Sequence, residues 1–175
     1  MEWDKKLEQH FRHIYDEVFP IVLRVVSRIT NDQEVAEELC HDAFIKLYER
    51  IDQFPDTDQA KYWLIRVAKN HALNHVKRKQ RERRAYEKVL AQPERFEPSG
   101  EDHVIRTESS EEVQKALHKL PEKLRVILVM KEYADLNYKE ISKALGISEA
   151  NVKVRVFRAR QRLARVLEEG AGHES

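Results

Sequence analysis

The feature that most constrains this fold is a helical spacing of apolar residues that continues through most of the chain. Between Trp3 and Ile29 apolar side chains recur every three or four positions, and the same period returns in the segments 35–51 and 63–76. Only 4 Gly and 5 Pro interrupt the 175 residues, which is too few for the many tight turns of an all-β domain. The pattern therefore predicts an all-α fold with long helices.

Turn-forming residues divide the N-terminal part into three predicted helices. Pro20 should end or kink the first helix near Phe19, because proline removes a backbone donor. Thr30 to Asp32 supply capping oxygens for the second helix, and Phe54 to Gln59 form a predicted loop before the third. The third helix leads into the strongly basic sequence KRKQRERR, Lys77 to Arg84.

The helical period lapses in the segment 92–111, which is acidic and contains two of the five prolines. This composition is typical of a flexible linker. We therefore predict two small helical domains, 1–91 and 112–170, joined by that linker. In the second domain the helical spacing resumes, and Pro121 fits the first turn of a helix.

The sequence YKEISKALGISEANVKVRVFRARQRL, residues 138–163, predicts a helix, a tight turn and a second helix. Gly146 suits the left-handed turn, and Ser148 suits the N-cap that follows. This is the pattern of a helix-turn-helix whose second helix enters a DNA major groove. The residues predicted to contact the duplex are Ser148, Asn151, Lys153, Val154, Arg155, Phe157 and Arg158.

A basic amphipathic helix can also be a solvated face, or can bind a membrane or an acidic partner. The distribution of charge favours DNA. The chain carries only +1, yet residues 77–84 carry +5 and residues 150–166 carry +6 with no acid among them. The remainder therefore carries −10. Two basic surfaces on an acidic body indicate selective contact with polyanions.

The first basic segment, AKYWLIRVAKNHALNHVKRKQRERR, interleaves bases and amides with aromatic side chains. Such a mixture suits a groove that follows phosphates and captures unstacked bases. For Trp63 a place in the core is favoured over a role as a stacking surface. His71 and His75 lie four positions apart but lack a third ligand nearby, so we predict no metal site and no cofactor.

The two basic segments, in this order around an acidic linker, resemble the extracytoplasmic-function (ECF) group of bacterial sigma factors over about residues 10–167. The segment DQEVAEELCHDAFIKLYERIDQF, residues 32–54, is similar to the family's region 2.1–2.2. The resemblance implies that it docks on the clamp coiled coil of RNA polymerase. The implied polymerase-binding residues are Glu38, His41, Asp42, Phe44 and Lys46.

The segment WLIRVAKNHALNHVKRKQR is similar to region 2.3–2.4, which melts the −10 element and reads it as a single strand, and the loop 55–60 would hold an extruded base. The helix-turn-helix is similar to region 4.2, which reads the −35 duplex. The resemblance further implies core RNA polymerase (clamp coiled coil and flap), promoter DNA and an anti-sigma factor as partners. The implied −10 contacts are Trp63, Arg66, Lys69, Asn70, Asn74, Lys77 and Arg78.

The sequence therefore predicts a sigma factor that recruits RNA polymerase to promoters and helps to melt them. It contains no catalytic constellation, so we expect no enzyme activity. A helix-turn-helix regulator that binds duplex DNA without polymerase is the alternative, and a helical nuclease or recombinase is a second rival. The chain has one cysteine, Cys40, which fits a reducing compartment. Its N-terminus is charged and its apolar runs are short. We therefore predict a cytoplasmic protein without membrane insertion.

Overall fold

The structure is a computed structural model that describes residues 2–90 and 108–172. These residues form helices and connecting turns without a strand, which confirms the all-α prediction. A single 3₁₀ turn, Ile51–Gln53, lies between the second and third helices. The α-helices are α1 (Glu2–Thr30), α2 (Gln33–Tyr48), α3 (Thr57–Leu90), α4 (Glu108–His118), α5 (Glu122–Glu132), α6 (Tyr138–Leu145) and α7 (Glu149–Gly172).

Helix α1 continues through Pro20, so the predicted end near Phe19 is wrong, and the alternative, a kink at that point, stays a prediction. Proline costs a helix one hydrogen bond. Here Val18 and Val22, on either side of it, are fully buried in the same core. Packing of this apolar face against α2 and α3 holds the helix together across the missing bond.

The predicted cap of α2 is confirmed, because Asp32 Oδ1 accepts a hydrogen bond from the Val35 N–H at 3.1 Å. Helix α3 begins at Thr57, inside the predicted loop, and continues for 34 residues. At 1.5 Å per residue it is about 50 Å long. Its last part, residues 77–90, is solvent-exposed throughout, so the basic run stands on a projecting helix.

The predicted linker 92–111 lies mostly outside the described residues. Helix α4 begins at Glu108, so the last positions of that segment are helical. Pro121 stands at the N-cap of α5, just before the helix and not in its first turn.

Helices α1–α3 are called the N-terminal domain below and helices α4–α7 the C-terminal domain, following the predicted division. The two are in contact, since α1 packs on α5 and α3 packs on α6. In the C-terminal domain, the predicted helix-turn-helix is confirmed. Gly146 has φ 69° at the end of α6, as the left-handed turn requires. Asn137 and Glu140 form a reciprocal capping box at the start of α6.

Candidate nucleic-acid interface

The start of α7 is fixed by a side-chain cap and by three buried residues. Ser148 Oγ accepts a hydrogen bond from the Asn151 N–H at 3.1 Å, as the sequence predicts. Val152, Val156 and Ala159 are fully buried against the rest of the C-terminal domain. This face therefore sets which α7 side chains point away from the protein.

The outward face of α7 presents cations and apolar groups together. Phe157 is 63% exposed and Val154 is 45% exposed, which is unusual for residues of their type. Lys153 and Arg158 are exposed beside them, whereas Arg155 is half-buried. Donors for guanine and phosphate thus lie next to groups that fit a thymine methyl.

Another arginine of the same helix is engaged elsewhere. Arg160 donates from Nε to Glu132 Oε1 at 3.0 Å, and Nη2 lies 2.5 Å from the same oxygen. The hydrogen bond that Arg160 donates to this carboxylate raises the pKa of the guanidinium. Arg160 is therefore committed to a contact within the C-terminal domain.

A second polar row lies along α3. Arg66, Asn70 and Asn74 are exposed and follow each other at four-residue spacing, which places them on one side of the helix. Lys77 and Arg78 extend this row towards the projecting end and are also exposed. Five of the side chains implied as −10 contacts thus form a continuous strip.

Two other residues of that set are more enclosed. Trp63 is half-buried, and its ring centroid lies 5.2 Å from that of Phe54. Lys69 is also half-buried, and burial together with the nearby Arg66 lowers its pKa. Trp63 therefore packs partly as a core residue, as the alternative interpretation expected.

Helix α2 carries the residues implied as polymerase contacts, and one of them is buried. Glu38, His41 and Asp42 are exposed along one stripe. Phe44 is only 2% exposed, so it cannot itself contact a partner. Instead, it packs in an aromatic cluster with three side chains of α1: Phe11, Tyr15 and Phe19.

Sequence reasoning missed two apolar residues on the exposed side of α2. Ile45 is 57% exposed and Tyr48 is 54% exposed. Ile45 follows His41 by four positions and Asp42 by three, so it belongs to the same stripe. This spacing can be read from the sequence, but neither Ile45 nor Tyr48 was among the residues predicted to contact the polymerase.

Lys46 lies beside this stripe and turns towards α3. Its Nζ is 3.1 Å from His71 Nε2. Burial and the neighbouring lysine lower the pKa of His71. Within the described ranges no three His, Cys, Asp or Glu residues are placed to hold a metal ion.

The thiol of Cys40, on α2, is fully buried. Burial, with a contribution from Glu37, raises the pKa of the thiol to about 12. It is therefore a packing residue at neutral pH. None of the helices in the described parts is both long and apolar enough to cross a membrane.

Known protein families match both halves of the chain. The family "Sigma-70 region 2" matches residues 14–82, and "Sigma-70, region 4" matches residues 110–163. The ECF RNA polymerase sigma factor SigM of Bacillus subtilis is 30% identical over 92% of this chain and 97% of its own length. The ECF RNA polymerase sigma-E factor of Escherichia coli K12 is 29% identical over 80% of this chain and 77% of its own.

Solved structures show the same fold at low identity. The sigma factor RpoE of Bartonella quintana, in complex with the anti-sigma factor NepR, has a TM-score of 0.68 and 21% identity. The match covers 91% of this chain and 98% of that one. CnrH, in complex with the cytosolic domain of CnrY, has a TM-score of 0.66 and 19% identity, with 93% and 90% covered. With both sigma regions present in order and a relative matched over nearly its whole length, the chain belongs to the ECF RNA polymerase sigma factors, which direct RNA polymerase to promoters.

Proposed function

We propose that this sigma factor divides promoter reading between its two domains and binds polymerase through a third surface. The carrying observation is that three separate helices each present an exposed strip suited to one of these tasks. The strips are the outward faces of α7, α3 and α2. Each strip alone is a weak indication, and membership of the sigma family supports a common role for all three in transcription initiation.

In this proposal, α7 enters the major groove of the −35 duplex. Arg158 and Lys153 point outward on the cap-proximal half of the helix, where recognition helices contact base edges. Ser148 and Asn151 stand at the N-terminus of α7, where backbone N–H groups favour a phosphate. Arg155, being half-buried, is better placed for the DNA backbone than for a base.

The strip on α3 takes the melted −10 strand. Its amides, Asn70 and Asn74, lie between the cations Arg66 and Lys77, so base edges can be bound at the centre of the strip and phosphates on either side. Trp63, at the start of the strip, contributes the exposed part of its ring as a stacking surface.

The stripe on α2 docks on the polymerase clamp coiled coil. Its acidic members, Glu38 and Asp42, surround the apolar Ile45, the usual arrangement of a contact with an apolar centre and a polar rim. Phe44 supports this stripe from inside the domain. The C-terminal domain would meet the polymerase flap.

An anti-sigma factor is the third proposed partner, supported by the relative solved with NepR. Because the chain works with RNA polymerase on the chromosome, we place it in the cytoplasm. The acting unit is the complex with polymerase, since each basic surface binds DNA weakly until the enzyme fixes their spacing.

Run-off transcription with purified core RNA polymerase on a promoter library tests the proposal. We expect initiation that requires both this chain and the polymerase, on templates that share a −35 and a −10 sequence. Tight duplex binding without polymerase, together with no polymerase-dependent transcript on any template, would favour the alternative of a conventional regulator.

A further inference from the structure

Helix α1 is tied to the turn before α3 by one histidine. His10 Nε2 lies 2.7 Å from the Phe54 carbonyl oxygen, across 44 positions of sequence. Since a carbonyl oxygen only accepts, the imidazole is the donor and Nε2 carries the proton. Both residues are half-buried, so the bond is partly protected from competing water. The contact therefore fixes Phe54 to α1.

Phe54 stands at the root of the loop 55–60. Its own N–H donates to the Ile51 carbonyl at 3.1 Å, which closes the 3₁₀ turn, and Ile51 is buried. The next residue is Pro55, whose ring restricts the backbone that leaves the turn. The peptide groups of Phe54 are thus held from two directions, by Ile51 at the N–H and by His10 at the carbonyl.

The other end of this loop is fixed by the start of α3. Asp56 Oδ1 accepts a hydrogen bond from the Asp58 N–H at 2.9 Å, and the Asp56 carbonyl accepts from the Ala60 N–H at 3.2 Å. Ala60 is fully buried. The exposed positions of the loop are Pro55, Asp56, Asp58 and Gln59. The loop is therefore a short exposed edge between two anchored ends, already shaped before a ligand arrives.

The aromatic ring of Phe54 extends the same anchor to Trp63. The two ring centroids lie 5.2 Å apart with the planes at 48°, and Trp63 stands in the second turn of α3. Trp63 is only half-buried, so part of its ring faces solvent. Because the backbone of Phe54 also begins the loop 55–60, a shift of this residue would displace the loop and the packing of Trp63 together.

From these contacts we infer that His10 is a positioning residue for capture of the extruded −10 base. Its hydrogen bond to Phe54 holds the loop 55–60 and the ring of Trp63 in the relative position that accepts the base. His10 acts through Phe54 and does not itself touch DNA. Such support matters because the groups of a binding site must be held to within about 0.5 Å of their productive positions. The inference rests on the proposed reading of the −10 strand by α3 and on the base-holding loop that the family resemblance implies.

The affinity of the complex with core RNA polymerase for fork-junction templates tests this role. An abasic site placed at each −10 position in turn identifies the captured base, because its removal weakens wild-type binding most. The capture ratio is the affinity for the intact template divided by the affinity for the template that lacks this base. His10→Leu keeps a side chain of similar bulk but cannot donate to the Phe54 carbonyl. We expect its capture ratio to fall about fivefold, the usual net effect of one lost hydrogen bond.

Two further variants of position 10 separate hydrogen-bond donation from bulk. His10→Gln keeps an N–H at nearly the same reach, so its capture ratio should be close to that of wild type. His10→Asn carries the same amide on a side chain one methylene shorter, so it should behave as His10→Leu does. It also replaces His10→Leu if that variant does not fold. An equal loss in the Gln and Asn variants would overturn the inference, because the donated bond would then not be the cause.

His13→Leu is the matched control, since His13 lies on the same helix with its Nε2 3.3 Å from Glu17 Oε1, on the exposed surface. Its capture ratio should equal that of wild type, and circular dichroism should show that every variant is folded. A wild-type capture ratio in the folded His10→Leu and His10→Asn complexes would refute the inference. Failure of the proposed function would look different, because no abasic site in the −10 strand would then weaken binding of wild type itself, and the inference would fall with it.

Discussion

The ring of Phe44 packs edge-on against Tyr15, with the centroids 5.1 Å apart and the planes at 69°. This contact joins α2 to α1 from inside the N-terminal domain. It turns the acidic stripe of α2 outward, so in the proposed polymerase contact Phe44 acts only by holding its helix in place.

Substitution of Phe44 by alanine should therefore reduce stability. A buried Phe→Ala change leaves a cavity and costs about 3–5 kcal/mol in the free energy of unfolding. Denaturant unfolding followed by circular dichroism measures this loss. A Phe44→Leu variant should recover much of the stability, and full stability of Phe44→Ala would contradict the core assignment.

Ile45→Asp should leave stability nearly unchanged but weaken binding to core polymerase. Because Ile45 is mostly exposed, stability should change by about 0.5 kcal/mol or less, whereas binding to core polymerase should weaken at least tenfold if the side chain lies at the centre of the contact. A fluorescence titration with core enzyme measures the affinity. Val89→Asp is the control, since Val89 is an exposed apolar residue at the end of α3. An equal loss of polymerase affinity in both variants would count against a specific contact at α2.

Two arginines of α7 form a matched pair for the −35 surface. Arg158→Ala should cost about 1–3 kcal/mol in binding a −35 duplex, while core polymerase binding should be unchanged. Arg160→Ala should cost less, because Arg160 already bonds to Glu132. Electrophoretic mobility shifts with the polymerase complex measure both. A larger loss in Arg160→Ala would reverse the orientation proposed for the helix.

The exposed Phe157 should read thymine through its methyl group. Replacement of single −35 thymines by deoxyuridine removes only that methyl. At the contacted position, wild type should lose affinity, and Phe157→Ala should bind both duplexes equally. If wild type tolerates uracil at every −35 position, the ring has another role.

Local features of this fold could be predicted from the sequence, because each depends on neighbours a few positions away. Asp32, Gly146 and Ser148 all occupy the caps or turns expected of them. Val152 and Val156, four positions apart, share the buried face of α7, as helix periodicity requires.

Features that depend on distant partners were not predictable. Pro20 is tolerated because α2 and α3 hold α1 on both sides of it. Lys61 and Glu140 are 79 positions apart, and nothing local to either residue indicates their contact. For the same reason a row that reads as a free DNA-binding surface in sequence is partly covered in the structure.

The contact between α1 and α4 should make stability depend on pH through His118. Gln114 is buried, and its amide donates to the Arg28 carbonyl and lies 3.0 Å from His118 Nε2. Neutral His118 can accept that bond, whereas the protonated ring cannot. Burial, and secondarily the nearby Arg125, lower the pKa of His118 below its ordinary 6.5.

Because the folded chain disfavours the proton, this contribution to stability is complete above pH 6.5 and is lost as the pH falls through the lowered pKa. We expect the unfolding free energy of wild type to decline between pH 7.5 and 5.5, with a slope of at most about 1.4 kcal/mol per pH unit from this one group. His118→Gln should flatten the decline while His71 and His75, whose pKa values are also lowered by burial, keep part of it. Denaturant unfolding at four pH values measures the slopes, and equal slopes in wild type and His118→Gln would exclude His118 as the titrating group.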